Sequence, residues 1–225
     1  MMKEICTDVI IVGAGLTGST LACALSDKGI DVCMIDKLTL EKTVSQDFDP
    51  RASAIALGSQ RILKGIGLWK RLAGNSVPIK DIRVADGKSP LFLHYDHRDL
   101  SSTPFGYMVK NQDYRHAMFE ELKSRERCKI YSPNQLKKLE RNSTGIIADL
   151  DDGRRLRAQI IVGADGRSSE VCKRAKIPLM KWPYDQCGII CNVVHEKPHN
   201  NIAHEHFFPS GPFAILPLQG NHSAI

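Results

Sequence analysis

Apolar positions along the chain follow two rhythms. Val9-Ile10-Ile11-Val12 is an unbroken run of the kind covered on both faces of a parallel sheet. It breaks at Gly13-Ala14-Gly15. A helical pattern then opens at Leu16 or Thr17, runs through Leu25 and stops near Gly29. Residues 31–35 form a second apolar strand that ends in Asp36. Residues 37–51 are polar and without period, which predicts a surface loop. Residues 52–57 are short and apolar, and helical turns are expected over 59–64 and 68–72.

From 77 to 109 the period drops to two. Ile79, Ile82 and Val84, then Leu91, Leu93 and Tyr95, then Phe105, Tyr107 and Val109 predict three strands, with a hairpin turn at Asp86-Gly87. Helical spacing returns over 111–127. Tyr114, Met118, Phe119 and Leu122 make its apolar stripe, and Asn111 is the candidate N-cap. Strands resume at 129–131, 136–139, 145–150 and 154–158, the last two flanking Asp151-Asp152-Gly153. Residues 159–163 are a second fully apolar short strand. They lead into Ala164-Asp165-Gly166, after which Ser168 is expected to cap a helix reaching Ala175. Further strands are expected over 188–194, 202–208 and 213–218.

These rhythms predict an α/β protein with two kinds of sheet. Residues 1–76 and 110–182 read as a discontinuous nucleotide-binding domain. Residues 77–109 and 183–225 read as part of a second, β-sheet domain interleaved with it. The chemistry concentrates at the first strand. Gly13, Gly15 and Gly18 match G-x-G-x-x-G between a strand and a helix. Gly13 would permit the tight turn, Gly15 a close approach of pyrophosphate, and Gly18 close helix–strand packing. The helix N-terminus offers free N–H groups and the positive end of its dipole to phosphate. Asp36 stands eighteen residues beyond Gly18, close to the spacing of the acid that binds a ribose 2′-hydroxyl. An acid there favours FAD or NAD over NADP.

Composition narrows the picture slightly. The 225 residues are 42% hydrophobic and 25% charged, ordinary for a globular protein, and no apolar run approaches the roughly 18 residues of a membrane span. Met1-Met2-Lys3-Glu4 runs almost directly into the first strand, so no signal peptide and a cytoplasmic location are expected. The net charge of +6 gathers over 125–138 and 154–176. A solvated basic face accounts for it, with an anionic membrane surface as a candidate partner. Nucleic acid is not expected, since no aromatic residues interleave with the basic ones. Seven cysteines without a C-x-x-C argue against a disulfide framework. Cys23 and Cys33 read as buried thiols. Cys187 and Cys191 read as packing residues on one face of a strand. His195, His199, His204 and His206 lack the spacing of a zinc site and read as a histidine-rich strand surface, so no metal is expected. No nucleophile–histidine constellation is present, and no side chain is assigned a catalytic role.

Several motifs together resemble one family. Ile161-Val162-Gly163-Ala164-Asp165-Gly166-Arg167-Ser168-Ser169 resembles the DG motif of the FAD-dependent aromatic hydroxylases, the para-hydroxybenzoate hydroxylase superfamily. Asp49-Pro50-Arg51 followed by Ala54, Leu57, Ser59, Leu63 and Gly67-Leu68-Trp69 is similar to the ubiquinone-biosynthesis hydroxylases, the UbiH/UbiF/COQ6 group. Asn111-x-x-Tyr114-Arg115 and Gly211-Pro212-Phe213-Ala214-Ile215-Leu216-Pro217-Leu218 also resemble that group. The resemblance implies a Rossmann-like FAD-binding domain with an interleaved antiparallel β-sheet substrate domain. It implies that Gly13, Ala14, Gly15, Thr17 and Gly18 hold the FAD pyrophosphate, and that Asp36, with Lys37 beside it, binds the adenosine ribose. Arg51 and Arg115 would contact the flavin nucleotide, and Asp165 would lie near its pyrophosphate and ribityl chain. The implied reaction uses NAD(P)H and O2 to hydroxylate the aromatic ring of a polyprenylated phenol on the way to ubiquinone. Peripheral association with the inner membrane face or with a ubiquinone-biosynthesis complex would follow from so greasy a substrate.

The family also carries a third motif, G-D, downstream of the 211–218 segment. Ile225 comes first, so the expectation is an N-terminal portion truncated before that motif. Two other readings stay open: another FAD-dependent oxidoreductase of the superfamily, such as an isoprenoid reductase, and a non-catalytic truncated remnant.

Overall fold

A computed structural model describes residues 4–45 and 48–225. Strands and helices follow in the order β1 (Glu4–Cys6), β2 (Val9–Val12), α1 (Leu16–Asp27), β3 (Val32–Ile35), α2 (Leu40–Thr43), β4 (Ala52–Ala56), α3 (Leu57–Gly65) and α4 (Trp69–Leu72). Next come β5 (Val77–Ile79), β6 (Asp81–Asp86), β7 (Phe92–Asp96), β8 (Gly106–Lys110), α5 (Asn111–Lys123), β9 (Cys128–Tyr131), β10 (Leu136–Asn142) and β11 (Gly145–Leu150). The remainder is β12 (Arg155–Ala158), β13 (Ile160–Gly163), α6 (Glu170–Arg174), β14 (Asn192–Val194), β15 (Ile202–Phe208), β16 (Gly211–Leu218) and β17 (His222–Ala224).

The chain divides into two compact units. One takes Met1–Ser45 and Arg115–Tyr184, the other Gln46–Tyr114 and Asp185–Ile225. The sequence reading placed the whole of 1–76 with the nucleotide domain. The stretch 48–76 instead belongs to the second unit, because β4 finds its partner in β8, pairing antiparallel from Ala52–Lys110 to Ala56–Gly106.

In the first unit a parallel sheet runs β13-β2-β3-β9. β2 and β3 are central, and all eight of their residues are buried, as continuous apolar runs in a parallel sheet should be. β13 matches its expected position but is an edge strand among the described residues, which leaves Ile160 56% exposed. A second sheet, β1-β12-β11-β10, packs on the parallel one. Ile10, Val12, Cys33 and Ile35 meet Leu136, Ala148, Leu150 and Leu156 in one buried cluster. Gly153, at φ +85, turns the β11–β12 hairpin read from Asp151-Asp152-Gly153. α1 packs against β2, β3 and β9 and ends before Gly29, whose φ of +80 suits a glycine.

The second unit holds a three-stranded sheet, β4-β8-β5, and a six-stranded one, β14-β17-β16-β15-β6-β7. The larger sheet is not wholly antiparallel. β6 and β15 run parallel, since β15 rejoins the sheet more than a hundred residues after β6 has left it. Val77, Ile79, Met108, Ala203, Leu218 and Ala224 form one buried cluster of the unit.

Local expectations fail where a side chain or a turn intervenes. The surface loop over 37–51 contains the short helix α2, started by Thr39, whose hydroxyl accepts from the Lys42 N–H at 3.3 Å. Gln46 and Asp47 of that loop, like Met1, Met2 and Lys3, lie outside the described residues. Ser169, not Ser168, caps α6, because residues 166–168 are taken up in a 3-10 turn. The strand expected over 188–194 shrinks to Asn192–Val194. Cys187 and Cys191 therefore lie outside any strand and are exposed rather than packed. Cys23 and Cys33 are buried as expected.

Candidate cofactor site

The parallel sheet reverses its order at β2. Its successors β3 and β9 lie to one side and β13 to the other. In open α/β sheets the ligand crevice forms at the carboxyl ends of the strands flanking such a point. Here those ends carry Gly13-Ala14-Gly15 and Ala164-Asp165. The two turns touch. Gly13 has φ +104, and a Cβ on it would run into the Ala164 carbonyl. A Cβ on Gly18 would run into the Gly13 carbonyl. The Ala164 N–H donates to Val12 O at 2.7 Å, and the Gly13 N–H to Ile35 O at 2.8 Å.

Gly15 behaves differently. A Cβ there would meet nothing within 4 Å, so its bare Cα faces open space. It is also the N-cap of α1 and supplies no side chain to the N–H groups of the first turn, where the exposed Thr17 sits. Those donors and the positive helix end are left for an anion. The buried Ser19 hydroxyl donates to Ala14 O at 3.0 Å and ties the loop to the helix, a contact with no sequence signal of its own.

The carboxylate of Asp36 braces the same loop. Oδ2 accepts from the Ala14 N–H at 2.6 Å, and Oδ1 accepts from the Leu38 N–H at 2.8 Å. Each oxygen keeps a second lone pair. Asp165 Oδ2 accepts from the Glu170 N–H at 2.6 Å and the Val171 N–H at 3.3 Å, so it does cap the start of α6. Its Oδ1 is buried with no partner. A buried acceptor left unpaired is costly, and a ligand hydroxyl would relieve it.

Gly13, Asp36, Lys37 and Asp165 line one cavity of about 130 Å³, together with Asn134, Gln135, Ser168 and Glu170. Sequence reasoning missed Asn134 and Gln135. They reach the cavity because the Asn134 N–H donates to Asp36 O at 2.7 Å, a pairing between distant segments. The carboxylates and amides of this lining suit a ribose and an adenine amine. Arg115 lines a second, smaller recess with Ala14, Gly15 and Ser19. Arg51 belongs to the second unit, where its Nε and Nη2 donate to Asp49 at 2.6 and 2.8 Å. That pairing raises the Arg51 pKa. Asp49 also accepts from Asn111 Nδ2 at 2.9 Å, and Asn111 Oδ1 accepts from the Ser53 hydroxyl at 2.6 Å. The side chain expected to cap α5 thus joins β4 to the Asp49 loop.

A buried strand, a glycine turn, an uncapped helix and an acid ending the next strand together define a dinucleotide-binding unit. The chain belongs to the FAD binding domain family, whose model matches residues 6–222.

Known relatives agree with that placement. The chain is 47% identical over 218 residues to ubiquinone hydroxylase UbiL of Rhodospirillum rubrum, covering 97% of this chain and 51% of the relative. It is 31% identical to mitochondrial ubiquinone biosynthesis monooxygenase COQ6 of Rattus norvegicus, over 97% of this chain and 49% of that protein. It is 29% identical to 3-demethoxyubiquinol 3-hydroxylase of Escherichia coli, over 97% and 56%. The chain therefore spans about half the length of the curated relatives it matches. Among solved structures, PqsL of Pseudomonas aeruginosa, described as a probable FAD-dependent monooxygenase, superposes with a TM-score of 0.85. The identity is 18%, with 98% of this chain and 59% of that one covered, a likeness of fold.

Proposed function

We propose that this chain is the FAD-binding and partial substrate-binding portion of a monooxygenase that hydroxylates the aromatic ring of a polyprenylated phenol in ubiquinone biosynthesis. One observation carries the cofactor half of the reading. The glycine loop and the Ala164-Asp165 turn are in contact, and they border one cavity whose buried Asp165 Oδ1 lacks a partner. The names of the relatives carry the substrate half.

In this reading the loop of Gly13, Ala14, Gly15, Thr17 and Gly18 holds the pyrophosphate at the head of α1, where Gly15 leaves room. Asp36, with Lys37 beside it, takes the adenosine ribose through its remaining lone pairs. Asp165 Oδ1 accepts a hydroxyl of the cofactor. Arg115 stands next to the glycine loop and adds positive charge toward the phosphates. Arg51, held by Asp49 within its own unit, is the other arginine proposed to contact the nucleotide. The flavin, when bound, supplies redox and oxygen chemistry that no side chain offers. The protein positions it, and no residue is given an acid, base or nucleophile role. NAD(P)H is the proposed electron donor and O2 the co-substrate. The proposed location is cytoplasmic, at the inner membrane face. No helix among the described residues is long and apolar enough to cross a membrane.

Two measurements test the reading. Titration of the purified protein with FAD should quench flavin fluorescence, and Asp165→Ala and Asp36→Ala should weaken the binding about tenfold or more. Cells lacking the gene should accumulate a quinone precursor short of one ring hydroxyl. Unchanged FAD affinity in both variants would sink the site, and an unchanged quinone profile would sink the substrate.

A further inference from the structure

The six-stranded sheet of the second unit ends at β7, which has β6 on one side and no strand on the other among the described residues. Leu91, Phe92, Leu93 and Tyr95 at this edge are 80%, 51%, 63% and 51% exposed. Side chains alternate along a strand, so Leu91, Leu93 and Tyr95 share one face and Phe92 and His94 the other. Tyr95 stands opposite Ile82, which packs against the buried cluster of Val77, Ile79 and Met108. The apolar layer of that face therefore runs on past its cover to the edge of the sheet.

The direction of the main-chain groups follows from two bonds at the base of the hairpin. The His97 N–H donates to Lys80 O at 3.0 Å, on the β7 side. The Asp81 N–H points the other way, to Asn201 O at 3.5 Å, just before β15. Antiparallel pairs alternate along a ladder, so Ile82–Tyr95 and Val84–Leu93 are the hydrogen-bonded pairs. Phe92 and His94 then turn their N–H and C=O groups outward. Exposed edges are ordinarily guarded by charge, proline or a bulge. β10, an edge strand of the other unit, carries Lys137, Lys138, Glu140 and Arg141 and a register shift between Leu136 and Lys138. β7 keeps an unbroken register with β6, and Phe92-Leu93-His94-Tyr95 contains neither proline nor a fixed charge. The His94 ring is engaged by Asp81 at 2.9 Å, so any charge on it is answered within the chain.

We propose that β7 is the interface of a two-fold dimer of this chain, in which two copies pair antiparallel about Leu93 and join their sheets edge to edge. Such pairing puts Leu93 opposite its own copy, Leu91 opposite the partner's Tyr95, and Phe92 opposite the partner's His94. Every pair is apolar or aromatic, on both faces, and no charge meets a like charge. The two Phe92–His94 pairs supply four main-chain hydrogen bonds from groups that have no strand beside them. An axis at His94 would instead set Asp96 against Phe92 and one histidine against another, so the register about Leu93 is the favoured one. Self-complementarity selects a second copy as the occupant, because an isologous interface needs one patch that fits itself. The main chain supplies the pairing, and the apolar rows above and below it supply the affinity. Neither flavin nor an aromatic substrate enters the interface.

Sedimentation equilibrium of the purified chain should show a monomer–dimer equilibrium with a dissociation constant below about 1 mM. Amide hydrogen exchange at Phe92 and His94 should slow as the dimer fills, a readout that needs no variant. Leu93→Lys and Leu93→Glu each set two like charges on the axis, and each should weaken the dimer about tenfold or more. An equal mixture of the two variants should recover it, since opposite charges then meet on the axis. Ile160→Lys, on the exposed edge strand β13 of the first unit, should leave it unchanged. Circular dichroism and thermal melting establish that each variant is folded. A chain that stays monomeric at about 1 mM would overturn the proposal. So would exchange that slows only at other elements, a dimer weakened by Ile160→Lys but not by folded Leu93→Lys, or a mixture that stays monomeric.

Discussion

Three glycines of one fingerprint do separate jobs, and substitution should separate them. At Gly13 and Gly18 an added Cβ strikes main-chain atoms that cannot swing aside. Gly13→Ala and Gly18→Ala should each cost about 2–4 kcal/mol in urea denaturation of the protein without cofactor. At Gly15 an added Cβ meets nothing, so Gly15→Ala should change stability by less than about 1 kcal/mol. It should still weaken FAD, because the methyl occupies the space meant for phosphate. A Gly15→Ala variant that binds FAD normally would remove the pyrophosphate from this loop. Thiols divide in a similar way. Burial pushes Cys128 up to about 12 and Cys23 up to about 11. Their folded pKa values exceed the ordinary thiol value, so the stability they contribute is intact below pH about 9 and is lost as pH rises toward 11–12. In the native protein a thiol reagent near pH 8 should label the exposed Cys6, Cys187 and Cys191 first. Cys23, Cys33 and Cys128 should react only on unfolding.

Among the elements, the β10–β11–β12 meander shows how the basic balance is spent. Arg155 stands directly across from Asp149, donating from Nε at 2.7 Å and Nη2 at 3.1 Å. This holds the Asp149 carboxyl below the usual carboxylate range. The stability it contributes is present above that range and is lost as pH falls through the depressed value. Arg155→Gln should lower stability near pH 7 and leave it unchanged once Asp149 is protonated, a difference that denaturation at two pH values reads directly. Arg125, Arg127, Arg154 and Arg157 also sit beside acids, at Glu121, Asp31, Asp152 and Glu4. Much of the positive excess over 125–138 and 154–176 is therefore locally answered, which weakens the case for an anionic membrane patch there.

For the molecule as a whole, each unit is closed by chain from both halves of the sequence. β2 and β3 need β9 and β13 at their flanks, and the meander supplies the other wall of their core. A fragment ending at residue 114 keeps β2, β3 and α1 but loses every one of those partners. It should show no cooperative urea transition, whereas the 225-residue chain should. A sharp transition in the fragment would mean that the interleaving is not required for stability.

Local pattern and stereochemistry were enough to determine β2, α1, β3, the two aspartate–glycine hairpins and the order of the motifs. Each depends on residues close in the chain: a β-branched run, a glycine that takes positive φ, an alternation of period two. Only tertiary structure decided that 48–76 joins the second unit, that β6 and β15 run parallel, and that Asp165 Oδ1 is stranded beside Asp36 and Asn134. These outcomes depend on which distant segments can bury surface and satisfy polar groups together. No window of neighbouring residues contains that information.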